Sequence, residues 1–187
     1  MIRAFIGIGL PDDIRSALSV QQFLLPLPRR VQPDAFHLTL AFLGEIGPDV
    51  LETTHEALLT LRAEKFQLSL SGLGLFGSER PRAAWAGVCR SDPLTNLQAK
   101  IERLARQAGC HLEHRRFVPH VTLGRFPPPP KDESMRLERA VALGTNFTSP
   151  VWEVHEFTLW QSHLGGKTPY YERLVSYPLL PSALLGH

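Results

Sequence analysis

The sequence carries His-x-Thr-Leu twice, as His37 to Leu40 in HLTLAFLG (37–44) and as His120 to Leu123 in HVTLGRF (120–126). A duplicated imidazole and hydroxyl form a usable chemical set. Histidine's unperturbed pKa of roughly 6.5 lets one ring be neutral while another is protonated near neutrality, so one can take a proton from attacking water as the other gives one to a departing alkoxide. Two threonine hydroxyls can donate hydrogen bonds to the nonbridging oxygens that gather charge between those events. The set suits in-line displacement at a phosphodiester. It calls for no nucleophilic Ser or Cys and no metal, and neither motif has the neighbouring carboxylates of a two-metal site.

Strands must hold these groups. Side chains two apart on a strand share a face, at roughly 6 to 7 Å spacing, so His37 goes with Thr39 and His120 with Thr122. Phe36, Leu38, Leu40 and Phe42 take the other face of the first strand, and Val121 and Leu123 that of the second. Burying those apolar sets fixes the register, because a one-residue slip would bury the histidine instead. If the two halves face each other across a pseudo-twofold axis, both imidazoles and both hydroxyls converge on one cleft.

The chain around the motifs repeats one order. RAFIGIGL (3–10) reads as a strand, and PDD opens a helix with Ile14, Leu18 and Gln22 on one side. A proline-rich loop follows, then the strand Phe36 to Leu43, a helix over Val50 to Arg62 with Leu51, Leu58 and Leu61 inward, and the strand FQLSLSGLGLF (66–76). The second half gives the strand AAWAGVCR (83–90), then a helix capped near Ser91 with Leu97, Ile101, Leu104 and Ala108 inward. The strand Phe117 to Phe126, a helix over Met135 to Leu143 and the strand VHEFTLWQS (154–162) complete it, and YYERLVSYPL adds one strand more. A repeat this long predicts a single two-lobed domain over 1–187, divided at roughly residue 80, and no solenoid.

Composition excludes some classes. At 43% hydrophobic and 20% charged, the chain is globular in character, and no stretch is apolar enough to span a bilayer. The net charge of +2 is too small to imply nonspecific binding to long nucleic acid. The N-terminal MIRAFIGIGLPDD lacks the features of a signal peptide, which places the expected location in the cytoplasm; a monomer is expected. Cys89 and Cys110 lack CxxC spacing and read as reduced, largely buried thiols.

FHLTLAFLGE and FVPHVTLGRF resemble the two signatures of the two-histidine phosphoesterase family, in its RNA 2',3'-cyclic phosphodiesterase or 2'-5' RNA ligase branch. RAFIGIGLP is similar to that branch's opening strand and AAWAGV to the strand that begins its second half. The resemblance implies an α+β, bilobal pseudo-twofold fold, with antiparallel sheets flanking a central groove and helices outside. It implies hydrolysis of a terminal 2',3'-cyclic phosphate to a 2'-phosphate on RNA ends or nucleoside 2',3'-cyclic phosphates, without metal or cofactor. His37 would then protonate the 3'-oxygen and His120 activate water, although by sequence the two halves are nearly interchangeable. Thr39 and Thr122 would hold the phosphate, and ligation by a 5'-hydroxyl would be the reverse reaction. Two rivals stay open: a small cyclic nucleotide such as ADP-ribose 1'',2''-cyclic phosphate as substrate, and an RNA-end-binding module without turnover.

Other residues carry weaker expectations. Arg125 falls on the Val121 face by strict alternation, and a bulge at Gly124 would swing it toward the cleft to meet phosphate. Phe126 shares the parity of His120 and is the expected stacking residue, whereas Phe42 has core parity. Arg29, Arg30, Arg115 and Arg116 read equally well as a basic rim or as solvated loop charges. HLEH (111–114) lacks a further pair of metal ligands, and Lys167 and Tyr170 fit a groove edge or a hairpin loop.

Overall fold

A computed structural model describes residues 1–77, 79–165 and 169–182 of the chain. Its first half runs β1 (Ile2–Gly9), α1 (Asp12–Leu24), β2 (His37–Ile46), α2 (Pro48–Leu59), β3 (Phe66–Leu68) and β4 (Leu70–Phe76). The second half repeats that order as β5 (Ala83–Val88), α3 (Asp92–Gln107), β6 (His120–Arg125), α4 (Lys131–Leu143), β7 (Trp152–Val154) and β8 (Glu156–His163). β9 (Tyr170–Pro178) follows.

Local chemistry accounts for most of these elements. Asp12 and Asp13 occupy the first turn of α1, where the helix dipole favours negative charge, and Ile14, Leu18 and Gln22 form its buried side as the four-residue spacing requires. In α3 the Ser91 hydroxyl accepts a hydrogen bond from the Leu94 backbone N–H at 3.2 Å, capping a helix that buries Leu94, Leu97, Ile101 and Ala105. α4 starts at Lys131, four residues ahead of the expected Met135, because Asp132 and Glu133 suit a first turn. Two expected strands are each broken into two. FQLSLSGLGLF divides at Ser69, and the run through VHEFTLWQS divides at His155. In each case the short front piece joins a separate two-stranded sheet, β3 with β7.

The remaining strands form a seven-stranded sheet in the order β4-β5-β6-β2-β1-β8-β9, with antiparallel pairing throughout. The two motif strands, β2 and β6, lie side by side near its centre. Around them the halves exchange strands: β4 from the first half pairs with β5, and β8 from the second pairs with β1. The repeat boundary in sequence is therefore not the boundary in space.

Each motif strand carries a bulge at the same place. On β2 the register passes from Gly7↔Thr39 to Ile6↔Ala41, leaving Leu40 extra, and on β6 it passes from Trp85↔Thr122 to Ala84↔Gly124, leaving Leu123 extra. A bulge removes its residue from the ladder and leaves backbone groups in need of partners. Buried glutamines from the opposite half answer that need. The Gln22 side-chain amide on α1 donates to the Leu123 carbonyl at 2.7 Å, and that of Gln98 on α3 donates to the Leu40 carbonyl at 3.4 Å. The loop after α1 then crosses β6, with the Val31 N–H donating to the Leu123 carbonyl at 2.9 Å. Only glycine fits below that crossing, since a Cβ on Gly124 would sit 2.6 Å from the Arg29 carbonyl oxygen.

Candidate active site

β2 and β6 pair antiparallel at Leu38↔Val121, two residues that lie wholly inside the core. Continuing that register by one residue either way sets His37 across from Thr122 and Thr39 across from His120. The four polar side chains share the open face of the sheet. In this arrangement the histidines are diagonal neighbours across the ladder, a relation that separates positions by roughly 7 to 8 Å. That distance lets two rings reach opposite sides of one phosphate.

Both rings are held in the same way. His37 Nδ1 lies 2.8 Å from the Ala35 carbonyl oxygen and His120 Nδ1 lies 2.7 Å from that of Val118, each two residues upstream. A carbonyl only accepts, so Nδ1 must carry the proton in either charge state, and Nε2 is left as the titrating nitrogen. His37 Nε2 is 3.0 Å from the Thr39 hydroxyl, which donates to it while the ring is neutral. Aromatic groups pack round both imidazoles: Phe5 and Tyr171 at 4.6 and 5.0 Å from His37, Phe76 and Trp85 at 4.8 and 6.1 Å from His120. Gly7 permits the close approach of β2 beneath the motif, because a Cβ there would lie 2.8 Å from the Leu38 carbonyl oxygen. The His-x-Thr spacing does not point to these supporting groups. Alternation along RAFIGIGL does place Phe5, Gly7 and Gly9 on one face, which was the available signal.

Burial lowers the pKa of both histidines below 6.5, against the opposing pull of the two carbonyls; Arg125 lowers both further, and His120 adds to the effect on His37. Charge on His120 disfavours charge on His37, so protonating the pair passes through a singly protonated form. That form holds one acid and one base. In the free protein both steps lie below 6.5, so kcat/KM for a phosphodiester substrate should trace a bell with its maximum on the acid side of 6.5. A bound phosphate anion favours the protonated rings and should move the kcat bell to higher pH than that of kcat/KM. Initial rates across the histidine range check both shifts, and a kcat/KM maximum well above 6.5 would contradict them.

The other candidates separate on structural grounds. The bulge at Leu123 resets the alternation, so that Arg125 is exposed and lies close enough to bias His37, His120 and Tyr171 electrostatically. The same reset corrects the expectation for Phe126, which is 4% exposed within the core and stacks on nothing in the cleft. Phe42 is corrected in the opposite sense: the Leu40 bulge turns it outward, to 46% exposure. Tyr171 has its pKa raised by burial, which keeps it a neutral hydroxyl donor. Of the basic rim, Arg115 pairs with Glu113 and Arg30 donates to the Leu25 carbonyl at 3.3 Å. HLEH lies outside regular secondary structure, and no group of three or more His, Cys, Asp or Glu able to hold a metal occurs among the described residues. Lys167 and His187 lie outside the described residues.

A cavity of about 540 Å³ runs on from His37, with Phe5, Trp160, Tyr170, Tyr171 and Arg173 among its walls. His120 does not line it. The Arg173 guanidinium lies over the Trp160 ring, 5.4 Å from its centroid. Arg173 is paired with Glu156 at 2.9 Å, and that carboxylate lines the cavity too. Its aromatic walls suit a nucleoside, and the volume is in the range of small-ligand sites.

Two strands from pseudo-equivalent halves, each presenting His-x-Thr to one cleft on an antiparallel α+β scaffold, define a two-histidine phosphoesterase. The comparison with known families agrees and is narrower. The chain belongs to the 2'-5' RNA ligase superfamily, whose model matches residues 10–166. An Archaeoglobus fulgidus protein named RNA 2',3'-cyclic phosphodiesterase is 30% identical over 179 residues, covering 92% of this chain and 98% of that protein. A protein of the same name from Escherichia coli is 32% identical over 181 residues, covering 90% and 92%. A third from Geobacillus stearothermophilus is 32% identical over 186 residues, and there the chain spans only 57% of the relative's length. In solved structures, E. coli LigT complexed with 3'-AMP superposes with a TM-score of 0.80 at 27% identity, covering 95% of this chain and 98% of that one. No helix among the described residues is long and apolar enough to cross a membrane.

Proposed function

We propose that the protein hydrolyses the 2',3'-cyclic phosphate at an RNA 3' end, or on a nucleoside, to a 2'-phosphate. The observation that carries this reading is the matched pair of imidazoles, each held through Nδ1–H by a backbone carbonyl at 2.8 or 2.7 Å and placed diagonally across adjacent strands. Water attacks phosphorus in line with the P–O3' bond. His120 Nε2 takes a proton from the water, and protonated His37 Nε2 gives one to O3' as that bond breaks. The products are a 2'-phosphomonoester and a free 3'-hydroxyl.

The cavity breaks the near-symmetry and supports this division of labour. The leaving oxygen stays attached to the ribose, so the acid belongs on the side where the nucleoside binds, and this cavity is lined by His37 and not by His120. Thr39, Thr122 and the Arg125 guanidinium hold the nonbridging oxygens and stabilise the charge they gain. The names of the relatives, RNA 2',3'-cyclic phosphodiesterase, support the substrate class.

Phosphorus NMR of a nucleoside 2',3'-cyclic monophosphate incubated with the purified protein in EDTA tests the reading. The expected product is the 2'-phosphate, formed at the rate seen without chelator. A 3'-phosphate product, or loss of turnover in EDTA, would overturn it.

A further inference from the structure

The bulge that brings Arg125 to the cleft has a twin, and the residue it re-aims plays no part in the hydrolysis above. One extra residue at Leu40 turns Phe42 to the open face, where it is 46% exposed and lies across from Phe5, whose ring packs on His37. The Arg3 guanidinium lies 4.6 Å from the centroid of the Phe42 ring. Glu45 is the cross-strand partner of Arg3, yet the cation rests on the aromatic face. Bulges recur next to active sites because they re-aim side chains. Two at equivalent positions of a repeat indicate two re-aimed groups with matching tasks.

The register says where each group lies. Passing along β2 from Thr39 to Phe42 corresponds, on antiparallel β6, to passing from His120 toward Val118. Passing along β6 from Thr122 to Arg125 corresponds to passing from His37 toward Ala35. Arg125 therefore flanks the His37 side of the phosphate, and Phe42 with Arg3 flanks the His120 side. In-line displacement puts the leaving group at one apex and the entering group at the other. The cavity beside His37 accommodates the ribose that leaves; water entering beside His120 would need no platform. An exposed aromatic ring with a guanidinium stacked on it fits a nucleoside, the base stacking against the ring and the planar cation adding a cation–π contribution.

We infer that Arg3 and Phe42 form a subsite for a second nucleoside, which presents its 5'-hydroxyl beside His120. This rests on the acid and base roles proposed above. The 5'-oxygen attacks phosphorus and the P–O3' bond breaks; His120 takes the 5'-hydroxyl proton and His37 protonates O3'. The product is a 2'-5' phosphodiester with a free 3'-hydroxyl, and no co-reactant is consumed. Run in reverse, the same subsite holds the departing nucleoside of a 2'-5' linkage.

The test compares two substrates on the full chain, a nucleoside 2',3'-cyclic monophosphate and a 2'-5'-linked diribonucleotide. Phe42→Ala should lower kcat/KM for cleaving the diribonucleotide, relative to that for opening the cyclic phosphate, by about tenfold, the value of one stacked base. Phe42→Trp should restore the ratio, and Arg3→Gln should lower it in the same direction. Direct titration with the diribonucleotide should show the same weakening in Phe42→Ala while the affinity for a nucleoside 2'-phosphate stays constant. An unchanged ratio and unchanged affinities, or equal losses on both substrates, would overturn the subsite. Failure of the unaltered chain to open the cyclic phosphate would instead remove the hydrolytic reading, and the titration would still decide whether a second nucleoside binds at Phe42.

Discussion

Alanine at His120 or at His37 is expected to reduce kcat for a nucleoside 2',3'-cyclic phosphate by about 10²- to 10⁴-fold, the usual worth of a placed acid or base. Each removes the one nitrogen free to move a proton, since Nδ1 is already committed to the Val118 or Ala35 carbonyl. The two losses should differ in kind. With a phosphodiester whose leaving group is a p-nitrophenolate, the departing oxygen needs no proton, so His37→Ala should lose much less while His120→Ala keeps its full deficit. Combining both changes should cost less than the product of the single losses, because acid and base act in one step. Circular dichroism and thermal melts separate chemistry from folding, a necessary control where His37 packs against Phe5 and Tyr171. Near-normal turnover in either variant would end the acid/base assignment.

Removing Arg125 should produce the next largest effect. Arg125→Ala is expected to lower kcat/KM by about 10²- to 10³-fold, comparable with loss of a strong oxyanion donor, and Arg125→Lys should recover only part of it because an ammonium lacks the planar two-pronged geometry. A second readout separates charge from contact. Arg125 lowers the pKa of both histidines, so in Arg125→Ala the kcat/KM bell should move to higher pH. A large rate loss with an unmoved profile would mean that Arg125 acts at a distance from the rings. Thr39→Val and Thr122→Val should lose less, about 1 to 3 kcal/mol each, as expected for single neutral donors.

Much of this arrangement could be read before any coordinates. The two-residue spacing in His37-x-Thr39 and His120-x-Thr122 ties each imidazole to a hydroxyl, and the alternating Leu38, Leu40, Val121 and Leu123 name the face that must be buried. Spacing along Ile14, Leu18 and Gln22 identified the inner side of α1, although its last member proved to be a hydrogen-bond donor to the bulge on β6. The repeated order of elements held as well. What failed was parity beyond each bulge. Unbroken alternation puts Phe42 in the core and Phe126 on the His120 face, and the bulges at Leu40 and Leu123 exchange their fates.

By itself, the sequence determined which groups could do chemistry, on which strands they sit, and that two similar halves supply them. These are properties of local period and side-chain type, and neighbours in sequence suffice to set them. Only the tertiary structure decided that the halves exchange their β4 and β8 strands, that Ala35 and Val118 carbonyls select the reactive nitrogens, that Arg125 and Phe42 turn outward beyond the bulges, and that a cavity lined by His37 and not by His120 adjoins the motif strands. Each of these depends on a partner far away in the chain: a bulge forms where the adjoining strand's register and a buried glutamine from the other half make it the lowest-energy way to pair the backbone.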